Sequence, residues 1–297
     1  MVAQSGAFGA GILGSLMDSG IGFGYFVSSG NEADLQFTDY LSYFIDNPNV
    51  SGIAGYLEGI RDFQKFMDVT EKAKKNQKPI ILLKAGWSQK GAEAAFAHTS
   101  SVTGNGYTYQ SMFLERNIII ARDVPDLLDL SALADMKPSL KSRKIAIVSM
   151  SGGANVLLAD EAQLAALELP SLSDECLIKL KKLIPWYGSV KNPVDMTGNF
   201  INSTETLEEI LIAISRDPGI DSIVFFISVM YRYENNVTES VLRAQSQTGK
   251  PIFMIWEAGS EGLIRRSRQK GIKAFEDPSR TIRTLGQYIR FRENLLS

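Results

Sequence analysis

Short runs of apolar residues alternate along the chain with longer segments of helical periodicity. The runs GYFVS (24–28), GIAGYL (52–57) and PIILLKA (79–85) predict buried strands, and the pattern begins again with RKIAIVSM (143–150), DSIVFFISV (221–229) and PIFMIWE (251–257). Between them, apolar residues recur at helical spacing over 34–47, 62–76, 107–117, 124–135, 154–167, 203–215, 234–248 and 260–270. Strands that are apolar throughout, rather than at every second position, belong to parallel sheets covered by helices on both faces. The expectation is an α/β chain. The polar segment DMKPSLKSRK (135–144), with Pro138, marks a boundary between two domains, 1–137 and 138–297.

The two halves share a local signature. VAQSGAFGAGIL (2–13) and VSMSGGANVLLA (148–159) both read as a strand end, a Ser-Gly-small turn and an apolar helix, with Ser5-Gly6-Ala7 opposite Ser151-Gly152-Gly153. The match suggests two similar domains. Only Met1, Val2 and Ala3 precede the first turn, too few for the buried strand that leads into the second, so the pattern implies sequence upstream. Backbone N–H groups at such a turn, with the helix dipole behind them, favour an anion such as phosphate. Tight strand–helix packing is the plainer alternative. Neither turn fits G-x-G-x-x-G or the Gly-Lys-Ser/Thr of a P-loop.

Composition narrows the classes. With 297 residues, 44% hydrophobic and 22% charged, the chain is that of a folded protein too long for one ordinary core. A net charge of −2 without a basic run gives no electrostatic reason to propose nucleic acid or an acidic membrane. No apolar run reaches the roughly 18 residues of a membrane span, and the N-terminus lacks a charged leader. The single cysteine, Cys176, excludes an intrachain disulfide and a thiolate metal cluster, and fits a reducing cytoplasm. It lies in SDECLIKLKKL, which reads as a helix with the thiol buried.

The single histidine, His98, lies in AAFAHTSSVTGNG (94–106), which reads as a loop of small and hydroxylated residues. A neutral imidazole is a nucleophile through one nitrogen when the other donates its proton to a fixed acceptor. Glu58, in GYLEGIRD (55–62), follows a predicted strand at its carboxyl end, the edge at which open parallel sheets bind ligands. His98 follows the next strand, so both can reach one rim. A surface loop histidine and an exposed loop carboxylate are the alternatives. One histidine without paired cysteines makes a metal site a poor reading. Ser5 does not lie in G-x-S-x-G, which disfavours a serine hydrolase.

These motifs, in this order, resemble the NDP-forming acyl-CoA synthetases of the succinyl-CoA synthetase superfamily, and most closely the α part of the ADP-forming acetate–CoA ligases. The resemblance runs through AQSGAFGAGIL, GIGFGYFVSSGNEAD, GYLEGIRD, KPIILLKAG, AHTSSVTGN, IVSMSGGANVLLAD and KNPVDMTG. It implies two flavodoxin-like, three-layer α/β/α domains with parallel sheets, the first carrying a phosphohistidine loop. It implies a relay in which acyl-CoA, ADP and phosphate interconvert with carboxylic acid, CoA and ATP. His98 would be phosphorylated and Glu58 would orient its ring. Ser5, Gly6 and Ala7, and Ser151, Gly152 and Gly153, would begin helices that hold the phosphate.

No cofactor is expected to be tightly bound. CoA, ADP or ATP, and phosphate are expected as substrates, with Mg2+ accompanying the nucleotide in a partner. The resemblance further implies a CoA-binding Rossmann domain and an ATP-grasp domain as partners, a small carboxylic acid as substrate, and a homo-oligomer. Neither domain is in this sequence, so the chain is expected to be one component of a larger synthetase. Two positions depart from the family pattern: Ser100 replaces the glycine after His-Thr, and Trp87 replaces an arginine after Ala85-Gly86. The rival reading is a non-catalytic ligand-sensing or assembly module, as in synthetase-like regions fused to acetyltransferases. Those lack the histidine, which is present here.

Overall fold

The protein is described by a computed structural model that covers residues 1–99, 106–136, 140, 142–198 and 204–295. It divides into two compact units, Met1–Asp135 with Arg290–Ser297, and Met136–Ile289.

In the first unit the chain runs β1 (Val2–Ala3), α1 (Gly6–Asp18), β2 (Val27–Ser28), α2 (Phe37–Asp46), β3 (Ile53–Leu57), α3 (Phe63–Lys75), β4 (Ile80–Lys84), α4 (Gln89–Thr99), α5 (Gly106–Glu115), β5 (Ile119–Ala121) and α6 (Val124–Leu133). The five strands form one parallel sheet in the order β2-β1-β3-β4-β5. The apolar run IILLK is buried along all of β4, as a strand covered on both faces requires. Helix starts follow capping chemistry. Asp62 accepts from the N–H of Lys65, and Asp123 accepts from that of Asp126, with proline in the first turn of α6. At α1 a glycine governs packing: a Cβ on Gly9 would lie 2.6 Å from that of Ala3, so only glycine lets the helix approach β1 this closely.

The second unit repeats the plan. It runs β6 (Ile145–Ser149), α7 (Gly152–Leu164), α8 (Asp174–Leu183), β7 (Val194–Asp195), α9 (Thr204–Ser215), β8 (Ser222–Ser228), α10 (Glu234–Thr248), β9 (Ile252–Glu257), α11 (Leu263–Gln269), β10 (Lys273–Phe275) and α12 (Pro278–Glu293). Its parallel sheet has the order β10-β9-β8-β6-β7. Counted within each unit, both sheets are ordered 2-1-3-4-5, the flavodoxin-like arrangement, so the fold class matches the expectation. The core of the second sheet includes Val148, Phe225, Met254 and Trp256, with Cys176 among the buried side chains packed on it.

The structure adds elements to the sequence reading, α12 among them. The strands that were not predicted, β1, β5, β7 and β10, are each two or three residues long, too short to show a pattern. The stretch expected as a loop around His98 is helical from Gln89 through Thr99. Four alanines at 92, 94, 95 and 97, with Gln89, Lys90 and Glu93, are strong helix formers, and Lys90 and Gln89 both bond Glu93 one turn away. Small side chains there signal helix rather than loop.

Candidate functional site

In a 2-1-3-4-5 sheet the connections leave in opposite directions after the first and third strands, and a crevice opens beyond their carboxyl ends. In the first unit those strands are β1 and β3. Ser5-Gly6-Ala7 follows β1 and Glu58 follows β3, so two of the sequence-predicted elements flank the switch point.

Gly6 and Ala7 are exposed at the start of α1, and Ser5, in extended conformation, makes no side-chain cap bond. The first-turn N–H groups therefore have no partner from their own cap residue. A Cβ on Gly6 would lie 3.7 Å from Ser28 Oγ, at the end of β2. Glu58 is buried, with 6% of its surface exposed. Its carboxylate accepts a hydrogen bond from Tyr56, whose hydroxyl is pushed up to about 12 by burial first and by the Glu58 charge second. Tyr56 packs edge-on against Phe8 of α1, with ring centroids 4.9 Å apart.

The backbone around Glu58 is held by side chains that sequence reasoning passed over. Gln4 Oε1 accepts from Glu58 N at 2.5 Å and Gly59 N at 3.0 Å, while its Nε2 donates to Gly59 O and to Glu32 Oε1, both at 2.8 Å. Glu32 is also buried and accepts from Ser29 Oγ and Phe37 N. On the other side, Lys84 at the end of β4 is 3% exposed, and its Nζ donates to Glu58 O at 2.8 Å and to Ala85 O. That ammonium sits 4.6 Å from the ring centre of Tyr109. Tyr109 Oη in turn accepts from Ile60 N at 3.1 Å. Burial pulls Lys84 down to about 8, with Glu58 opposing the shift. The available signals were a lysine ending an otherwise apolar strand and a glutamine between a strand and a glycine turn.

His98 lies in the last turn of α4, the helix that follows β4. Its side chain, with those of 96–100, lies outside the described residues, as do Ser100 and the rest of 100–105. The structure therefore brings Ser5-Gly6-Ala7 and Glu58 to one edge and gives the path, not the side chain, of His98. Trp87, the second departure from the family pattern, is partly exposed and meets Phe113 of α5 edge-on.

In the second unit the matching switch point lies between β6 and β8. Ser151-Gly152-Gly153 begins α7, and here Ser151 caps the helix by accepting from Ala154 N at 3.3 Å. Asp195, ending β7, places Oδ2 3.3 Å from where a Cβ on Gly152 would lie. The α7 end is thus served partly by the chain's own oxygens, where the α1 end has the neutral Ser28 beside it. Among the described residues no group of three or more His, Cys, Asp or Glu could hold a metal ion, and no helix is long and apolar enough to cross a membrane.

Residues 1–134 match the succinyl-CoA ligase like flavodoxin domain, and residues 145–244 match the Ligase-CoA domain. Over 93% of its length the chain is 34% identical to the acetate–CoA ligase [ADP-forming] II subunit alpha of Pyrococcus furiosus. Over 96% of its length it is 31% identical to the corresponding I subunit alpha. It spans 61% and 62% of those two proteins. Among solved structures, the dinucleotide forming acetyl-coenzyme A synthetase 1 of Ca. Korarchaeum cryptofilum, in complex with phosphate and ADP, superposes with a TM-score of 0.89 at 28% identity. That match covers 99% of this chain and 65% of the other. Two domain matches in order, relatives aligned along nearly the whole chain and a shared pair of sheets lead to one conclusion: the chain belongs to the NDP-forming acyl-CoA synthetases of the succinyl-CoA synthetase superfamily.

Proposed function

We propose that the chain is the α-type part of an ADP-forming acyl-CoA synthetase and that His98 carries the phosphoryl group. A phosphate oxygen attacks the acyl-CoA carbonyl and the CoA thiolate leaves, giving acyl phosphate. An unprotonated imidazole nitrogen of His98 attacks phosphorus and the carboxylate leaves. An oxygen of the ADP β-phosphate then takes the phosphoryl group, giving ATP and restoring His98. Glu58 accepts a hydrogen bond from the N–H of the other ring nitrogen and holds the ring for in-line attack. The N–H groups that begin α1 at Ser5-Gly6-Ala7 stabilise the charge on the transferring group, and those that begin α7 at Ser151-Gly152-Gly153 are the second unit's own phosphate-holding helix start.

One observation carries this reading. A helix start without a side-chain cap and a buried carboxylate flank a single switch point, on the sheet whose next strand leads to the helix bearing the only histidine. The reaction also requires a CoA-binding domain and an ATP-grasp domain or subunit, where Mg2+ accompanies the nucleotide, and a small carboxylic acid. A cytoplasmic homo-oligomer fits those substrates. The test is ATP formation from acyl-CoA, ADP and phosphate by the chain assembled with those parts. Activity in the wild type and its loss in His98→Asn support the relay. Undiminished activity in His98→Asn refutes it.

A further inference from the structure

The backbone polar groups of Glu58 N, Glu58 O, Gly59 N, Gly59 O and Ile60 N are each bonded to a side chain from another element. The partners are Gln4 from the end of β1, Lys84 from the end of β4 and Tyr109 from α5, and all three are buried. Loops ordinarily give such groups to water or to local turns. Burying a lysine, a glutamine and a tyrosine to hold five consecutive backbone groups carries a desolvation cost, which singles out the position of what they hold.

The partners also lie where the chemistry is proposed. Lys84 is the last residue before the turn into α4, and Tyr109 stands in the first helix after the segment that follows His98. The ammonium of Lys84 lies between the Glu58 carbonyl and the face of Tyr109, an arrangement favoured by the negative face of an aromatic ring. It is also the buried cation that interacts with the Glu58 charge.

On this basis, and resting on the phosphohistidine reading above, we propose that Lys84 and Tyr109, together with Gln4, are positioning residues. They fix the Glu58 loop from both sides so that its carboxylate is preset for the His98 ring, and Lys84 supplies the countercharge that a buried carboxylate needs. None of the three need touch a substrate. Their effect on rate passes through Glu58, as a shell of fixed partners holds a catalytic group within the small tolerance that rate requires.

The test is a double-mutant cycle on the rate of His98 labelling from γ-labelled ATP, with the chain assembled with its nucleotide-binding part. Lys84→Met slows labelling by about 10- to 100-fold at unchanged KM for ATP. Tyr109→Phe, which deletes only the hydroxyl that holds Ile60 N, slows it by about 3- to 10-fold and keeps the fold if Lys84→Met does not. In a Glu58→Gln background, each adds less than about 2-fold, because the group through which it acts is gone. The proposal is overturned if both variants label at the wild-type rate, or if each slows labelling by the same factor with and without Glu58. Loss of the clamp alone reads as a slow Glu58→Gln enzyme without coupling. Retained labelling in His98→Asn or a wild-type rate in Glu58→Gln overturns the underlying relay and the clamp with it.

Discussion

Gln4 Oε1 accepts the backbone N–H of Glu58 at 2.5 Å, across 54 residues of sequence. The same amide satisfies the N–H and carbonyl of Gly59, so one side chain sets the end of β3 against the end of β1. Replacing it with leucine strands these buried groups and removes a donor from Glu32. Gln4→Leu is expected to destabilise the protein by on the order of 3 kcal/mol or more, read from urea denaturation. A loss under about 1 kcal/mol would mean that water replaces the amide freely.

Gly9 and Gly11 lie in the same helix and should respond oppositely to alanine. At Gly9 a Cβ would stand 2.6 Å from Ala3 Cβ, whereas nothing lies within 4 Å at Gly11. Gly9→Ala should lose about 1–3 kcal/mol through overpacking. Gly11→Ala should gain up to about 1 kcal/mol from helix propensity. Thermal melts of the two variants decide this, and equal shifts would contradict the close approach of α1 to β1.

The two Ser-Gly turns should also separate. Ser151 caps α7 through Ala154 N, while Ser5 makes no such bond. Ser151→Ala should cost about 1 kcal/mol of stability. Ser5→Ala should stay within about 0.5 kcal/mol. Denaturant midpoints that fall equally would show that Ser5 has a capping role as well.

Lys84 gives a pH signature. Burial lowers its folded-state value to about 8 from the ordinary 10.5. Below pH 8 both states carry the proton and the folded state bears the cost of the buried charge. Between about 8 and 10.5 the unfolded chain binds more protons, so stability rises with pH. The contribution is on the order of 3 kcal/mol. Because other groups titrate there too, the quantity to measure is wild type minus Lys84→Met, by urea denaturation at pH 7.5 and 10. It should rise over that range, and a flat difference would mean that Lys84 stays charged in the fold.

The longer parallel strands, β3, β4, β6, β8 and β9, were legible because an apolar run of their length, bounded by turn residues, fits little except a strand buried on both faces. β7 and β10 were not, since their pairing comes from the sheet around Val194 and Ala274 and not from local pattern. α12 carries apolar residues at Ile282, Leu285, Tyr288 and Ile289, yet interleaved arginines and Gly286 obscured it. Gly286 itself fits against the Ala165 carbonyl, a requirement that no local reading contains. Around Glu58 the motif named the carboxylate but not its supports. Gln4, Lys84 and Tyr109 reach it across 26 to 55 residues of chain: the register of β1, β3 and β4 brings the first two, and α5 brings Tyr109.

The central claim is that His98 accepts a phosphoryl group, and a chain with a single histidine makes the test clean. Wild type and His98→Asn, each assembled with the CoA- and nucleotide-binding parts, are incubated with γ-labelled ATP and the chain is separated from its partners. The account predicts a label on the wild-type chain that is lost in acid, persists in base and is absent from His98→Asn. An unlabelled wild-type chain in an assembly that binds ATP, or a label that survives His98→Asn, would contradict it.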